Sequence, residues 1–371
     1  MIAEMDVAAF CRQSHVLIVA GKGGVGKTTV AAALARATAR CGLRTLIIEL
    51  EASSGLAAAF GQSHGLSYHE SSLELGGPGG PNSGERADPG AEGPGRTEGS
   101  GQGEIRGRVL TPDDALLDYL ADHGLRRVSK RLMSSGAAEV ISTAVPGVRD
   151  ILVLGKVKQL ERTETADVII IDAPAAGHAI TFLTSAAGLL DSARGGPVRS
   201  QASEVVEMLS DPSRCQVILV TLPEETPINE AVETAYKLED RVGISLGPVV
   251  VNGLYPHLEG LDVDPLAVAG AAGITLAGGQ AEAMREAAVF RGRRQQLQSE
   301  QVRRLAEALP LPQITLPYLF TTSIGVAQSA MLADALVEGI RALPEPGPDG
   351  YGGQLPDLAF TGPVSPGDLG P

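Results

Sequence analysis

The densest concentration of chemistry in the sequence is the run Gly21-Lys22-Gly23-Gly24-Val25-Gly26-Lys27-Thr28-Thr29. Its spacing satisfies G-x-x-x-x-G-K-[ST], a pattern that cradles phosphate. The glycines let backbone N–H groups turn inward around anionic oxygens, and the helix expected to follow adds the partial positive charge of its N-terminus. Lys27 then neutralises the β- and γ-phosphate oxygens, and Thr28 ligates Mg²⁺. Lys22 is the unusual member. A second cation beside Lys27 costs repulsion unless anionic phosphate is present.

Two carboxylates extend this site. Glu51 follows the apolar run 44–50 and is expected near the γ-phosphate, where a carboxylate can orient or deprotonate an attacking water. The alternative is an acid that faces solvent after a strand. Asp172 closes the apolar run 167–171, so it can act on Mg²⁺ directly or through the ion's waters. In the segment that follows, Pro174 fixes the loop's exit and Gly177 supplies hinge freedom. His178 reads as a polar residue at a helix start, with a phosphate sensor as the alternative.

These residues need a scaffold that presents strand ends side by side. Short β-branched runs at 15–20, 44–50, 167–171, 216–220 and 248–251 read as buried strands, with helical patterns between them. The alternation predicts an α/β fold with a doubly wound, mostly parallel sheet. Thr111-Pro112-Asp113-Asp114 is a helix start: Thr111 caps, Pro112 suits the first turn and the acids suit the dipole. Residues 111–163 read as a helical subdomain inserted between strands. Residues 62–107 and the tail 344–371 are rich in Gly, Pro and polar residues. Both are expected to be disordered, with one domain spanning 1–343.

Composition excludes several classes. The chain has 371 residues and a formal charge of −14, with no basic cluster, which argues against a nucleic-acid partner. No apolar run approaches the ~20 residues that span a bilayer. The first thirteen residues lack the pattern of a signal peptide. Cys11, Cys41 and Cys215 form no disulfide or zinc pattern and read as buried structural thiols in a cytoplasmic protein.

The loop Lys22–Thr29 resembles the deviant Walker A motif of the ATPases related to nitrogenase iron protein, MinD, ParA and ArsA. Asp172-Ala-Pro-Ala-Ala-Gly-His178 is similar to the second switch of ArsA and of the eukaryotic tail-anchored-protein targeting ATPase. Pro146-Gly-Val-Arg-Asp-Ile151, Leu222-Pro-Glu224 and Val249-Val-Val-Asn-Gly-Leu254 also look like elements of the ArsA branch. The resemblance implies a P-loop NTPase that binds and hydrolyses ATP with Mg²⁺ as a homodimer or as a heterodimer with a paralogue. It further implies that Lys22 reaches the partner's nucleotide. Glu51 takes the place of the relatives' catalytic aspartate, and Ala52 that of the proline after it. Asn252 would read the adenine edge, with Pro317 and Phe320 flanking the ring. The resemblance supports a motor that drives a partner protein or transport, and it names no cargo or membrane partner. A weakly hydrolysing regulatory subunit and a MinD- or ParA-type positioning ATPase are the alternatives.

Overall fold

Six consecutive buried residues, Val16 to Gly21, form the strand from which the phosphate loop departs. A computed structural model describes residues 5–51, 55–73, 103–122, 124, 147–192 and 195–344. After a short α1 (Val7–Arg12) come β1 (Val16–Gly21), α2 (Lys27–Arg40), β2 (Thr45–Glu49), α3 (Gly55–Ala59), β3 (Ser71–Ser72) and β4 (Ile105–Val109). Next are α4 (Pro112–Asp122), α5 (Val148–Arg162), β5 (Val168–Ala175), α6 (Ala176–Ser192) and α7 (Pro197–Ser210). The chain continues through β6 (Cys215–Thr221), α8 (Glu225–Val242), β7 (Val249–Leu254), α9 (Pro265–Ala271), α10 (Gln280–Ala308), β8 (Gln313–Pro317) and α11 (Val326–Arg341).

The eight strands form one sheet in the order β3-β4-β2-β5-β1-β6-β7-β8. Every neighbouring pair is parallel except β3 with β4. β1 lies at the centre, hydrogen-bonded to β5 on one side and β6 on the other. The chain builds outward from β1 first in one direction and then in the other. This doubly wound α/β topology places a ligand crevice at the C-terminal ends of the central strands. β1, β2 and β6 are buried along their whole length, as strands covered by helices on both faces must be.

The Ala-rich composition of α2 follows from its position. Every residue from Val30 to Ala39 is buried, because the helix packs against both the sheet and α11. Small side chains permit that close approach. Arg36 is the exception in size. Its Nη2 donates to the Ala59 carbonyl at 2.9 Å and its guanidinium lies 4.8 Å from the centre of the Phe60 ring. Ser329 of α11 donates to the same carbonyl at 2.8 Å, which binds α2, α3 and α11 together.

Part of the 62–107 segment departs from the expected disorder. Its described ends supply β3 and β4, and β4 pairs in parallel register with β2. Gly107 is the reason this strand can pack, since a Cβ there would collide with Leu73. The charged positions of Ile105-Arg-Gly-Arg-Val109 are compensated locally. Arg106 and Arg108 meet Glu70 at 2.6 and 3.6 Å, and Arg108 lies 4.5 Å from the Tyr68 ring centre. Tyr68 also donates to Asp118 of α4, which accepts a 2.6 Å ion pair from Lys156 of α5. A polar network therefore fastens residues 68–70 to β4, α4 and α5. Residues 74–102 lie outside the described residues.

The helical layer begins as expected: the Asp114 N–H donates to Thr111 Oγ1 at 3.2 Å. α4 and α5 pack together, while residues 125–146 of the expected subdomain lie outside the described residues, as does the tail from 345. α5 is buried on most sides, and Lys158 enters α7 by donating to Glu204 at 3.0 Å.

Candidate active site at the ends of the central strands

The loop from β1 into α2 has the backbone its sequence demands. Gly24 and Gly26 have φ of +85° and +92°, values that favour glycine. At Gly21 the constraint is space, since a Cβ would run into the Val220 carbonyl of β6. Val25 is buried and pins the loop to the core. Lys27, Thr28 and Thr29 occupy the first turn of α2, where free N–H groups and the helix dipole face an incoming anion.

The Lys27 ammonium donates to the Lys22 carbonyl oxygen at 3.2 Å and so bridges the loop it will serve. Burial lowers its pKa, and the charges of Asp172 and Glu51 oppose that shift. Thr28 Oγ1 donates to Asp172 Oδ2 at 2.6 Å, which brings the two expected Mg²⁺ ligands together. Asp172 is buried, and its Oδ1 has no hydrogen-bond partner among the described residues. Desolvation pushes its pKa up to about 6. Glu49 and Glu51 reinforce the shift, against the Thr28 hydrogen bond and the Lys27 charge. A buried carboxylate with an unused oxygen beside a hydroxyl fits a hard divalent cation, which takes oxygen ligands and relieves the desolvation. No group of three His, Cys, Asp or Glu among the described residues forms a metal site.

Glu51 is exposed just beyond β2, within electrostatic reach of Lys27 and Asp172. Glu49, within the run 44–50 that reads as a strand, is buried at the end of β2. It stands in register with Asp172. Its signal was a charged residue ending an apolar run, two positions before the one singled out. Gly177 and His178 lie in the first turn of α6, both exposed, and His178 is within electrostatic range of Asp150 of α5. Lys22 makes an ion pair with Glu230 of α8 at 2.6 Å.

Asn252, on β7, donates its amide to the Val25 carbonyl at 2.9 Å and thus ties β7 to the phosphate loop. Gly26 leaves room for it, since a Cβ there would strike Asn252 Nδ2. Pro317 ends β8. Beyond it, Phe320 belongs to an aromatic group the sequence did not disclose. Tyr255, Tyr318 and Phe320 have ring centres 4.9–5.2 Å apart. Arg291 of α10 covers Tyr255 and Phe320 at 4.5 and 5.1 Å. Three of the twelve Tyr and Phe residues of the chain meet here.

The three thiols are remote from this chemistry. Cys11 and Cys215 are buried and Cys41 is partly so, and burial raises the pKa of each, that of Cys11 to about 12.

A P-loop on the central strand, with a buried acid on the neighbouring strand β5, agrees with the family comparison. The profile of the CobQ/CobB/MinD/ParA nucleotide-binding domain matches residues 16–319. The chain belongs to this family. It is 32% identical over 254 residues to the ATPase BagA of Mycobacterium tuberculosis, covering 66% of this chain and 67% of that protein. It is 26% identical over 274 residues to an arsenical pump-driving ATPase of Escherichia coli, covering 68% of this chain and 41% of the relative. The same figures hold for an arsenical pump-driving ATPase of Acidiphilium multivorum. The chain thus spans less than half the length of these two pump-driving relatives. These likenesses agree with the ArsA-like resemblance of the motifs and identify an ATP-binding P-loop ATPase of the MinD/ParA/ArsA class.

Proposed function

We propose that the protein binds ATP with Mg²⁺ and hydrolyses it as half of a dimer, formed with a second copy or a paralogue. The observation that carries this reading is the junction of Lys27, Thr28 and Asp172 at the end of β1, with Lys22 standing outside it. Lys27 and the N–H groups of the loop and first turn bind the β- and γ-phosphates. Thr28 and Asp172 would hold Mg²⁺, which supplies neutralisation of charge on the phosphate oxygens. Glu51 takes a proton from the attacking water as the water oxygen bonds to the γ-phosphorus. The bond from that phosphorus to the β-bridging oxygen breaks with its electron pair passing to ADP, and ADP and phosphate leave. Asn252 Oδ1 and Pro317 contribute to the adenine pocket, with Phe320 at its rim.

Lys22 acts on the partner's γ-phosphate, where positive charge delivered in trans stabilises the transferring group. Turnover is slow, because Glu51 is exposed and one methylene longer than the relatives' aspartate. This last feature also supports a second reading, a regulatory subunit with little hydrolysis of its own. In either case the ATP cycle drives a partner protein or a transport process in the cytoplasm. No helix among the described residues is long and apolar enough to cross a membrane.

The test combines a Lys22→Ala subunit with a Glu51→Ala subunit. If Lys22 works in trans beside its partner's Glu51, both defects fall on one active site and the other stays intact. Mixed dimers then recover partial hydrolysis. No recovery, with mixed dimers demonstrated, places Lys22 in its own site.

A further inference from the structure

Lys22 does not stand free in the protomer. Its ammonium is 2.6 Å from Glu230 Oε1, and each side chain is a little over one-third exposed, at 37% and 38%. Its carbonyl oxygen is held by Lys27. Glu230 belongs to the first turns of α8, and that part of the helix is itself braced by α10. Arg294 donates to Glu224 at 2.6 Å, and Arg304 donates to the Glu225 carbonyl and to Asn229 at 3.2 and 2.5 Å. The backbone that carries Glu230 is therefore braced.

We propose that Glu230 is a positioning residue that keeps Lys22 within its own protomer until a nucleotide-loaded partner competes for it. The proposal rests on the trans-acting reading of Lys22 given above. Lys22 has two anionic partners available in turn, one carboxylate in cis and one triphosphate in trans. An ion pair this exposed is weak and biases an equilibrium by only about two- to five-fold. A triphosphate carries more negative charge and sits in an interface from which water is excluded, so it wins once the two protomers meet. The pair thus opposes assembly of protomers in dilute solution and gives way when pairing occurs. It also lowers the cost of carrying a second lysine beside Lys27 when phosphate is absent, since Glu230 supplies the missing negative charge.

The test measures phosphate release from Mg²⁺·ATP across a range of protein concentrations for the wild type, Glu230→Gln, Lys22→Ala and the double variant. Sedimentation reports the assembled fraction and thermal melting reports folding. Glu230→Ala serves as a second variant should Glu230→Gln melt early. Removing the carboxylate frees one lysine in each protomer, so the protein concentration at half-maximal rate is expected to fall by about four- to twenty-five-fold in a dimer of two copies. The same shift should be absent in the Lys22→Ala background, where there is no ammonium to release. An unchanged or higher midpoint in both Glu230 variants overturns the proposal. So does a fall in the plateau rate as deep as that of Lys22→Ala, which would make Glu230 a support of the active lysine. Full turnover by Lys22→Ala, or rates independent of protein concentration in every variant, overturns the trans-acting reading itself and the proposal with it.

Discussion

Thr28 and Asp172 are separated by 144 positions in sequence and joined by a 2.6 Å hydrogen bond. The loop leaving β1 and the strand β5 are thereby fixed to each other before any ligand arrives. Thr28→Ala removes the one hydrogen bond that the Asp172 carboxylate makes among the described residues, and its other oxygen is already without a partner there. The expected loss of stability is about 1–3 kcal/mol. Thermal melting should detect it as a drop of several degrees. Mg²⁺ and ATP together should raise the melting temperature of the wild type, and the variant should gain less.

Lys27→Ala is expected to abolish ATP binding, because no other lysine reaches the β- and γ-phosphates from within the loop. Lys22 is held by Glu230 and offers its carbonyl, not its ammonium, to the loop interior. Isothermal titration with ATP and Mg²⁺ checks this. Unchanged affinity would remove the assignment of the loop.

Excising residues 62–107 is expected to abolish folding, because it deletes β3 and the first three of the five residues of β4, which bares the edge of β2. It also removes Tyr68, Glu70 and Arg106 from the network, so Arg108 and Asp118 lose those partners. A shorter excision of 76–100 removes none of these contacts. Circular dichroism and melting of the two deletions should therefore differ sharply, with the shorter one close to the full chain.

The thiols predict a loss of stability in alkali. Burial pushes Cys11 up to about 12 from an ordinary value of 9.0. Between those values the unfolded chain releases a proton that the folded chain keeps. Stability therefore falls as pH rises from about 9 toward 12, by at most about 1.4 kcal/mol per pH unit for this thiol. Below pH 9 the contribution is fully present and independent of pH. Denaturant melts of Cys11→Ala should show a shallower alkaline slope than the wild type. An equal slope would mean that other groups carry it.

Much of the site was legible because it is local. Gly21 to Thr29 names its own backbone and chemistry, and Asp172 ends a run of β-branched residues that has no other reading than a buried strand. β4 was hidden because Arg106, Gly107 and Arg108 look like loop residues until Glu70, Leu73 and Tyr68 are placed against them. Glu49 was hidden because register, not sequence spacing, sets it beside Asp172. The Tyr255, Tyr318, Phe320 and Arg291 cluster joins two strand exits and a long helix. The pairing of Lys22 with Glu230 spans 208 positions. Contacts of that kind depend on the closed topology, which no window of sequence contains.

The burial of β1 between β5 and β6 also sets how the site can come apart. Amides in the central strand exchange with solvent only through openings that approach complete unfolding, whereas frayed edges exchange through small ones. Residues 16–21 have paired strands on both sides and no exposed residue, so their protons should be among the slowest in the chain to exchange. The phosphate loop hangs directly from that segment. A protease or a thermal fluctuation that releases the sheet's margin at β3 leaves it intact, and nothing short of global unfolding dissolves it. Any substitution that weakens the domain as a whole will therefore lower the amount of competent protein without changing the affinity of the molecules that remain folded.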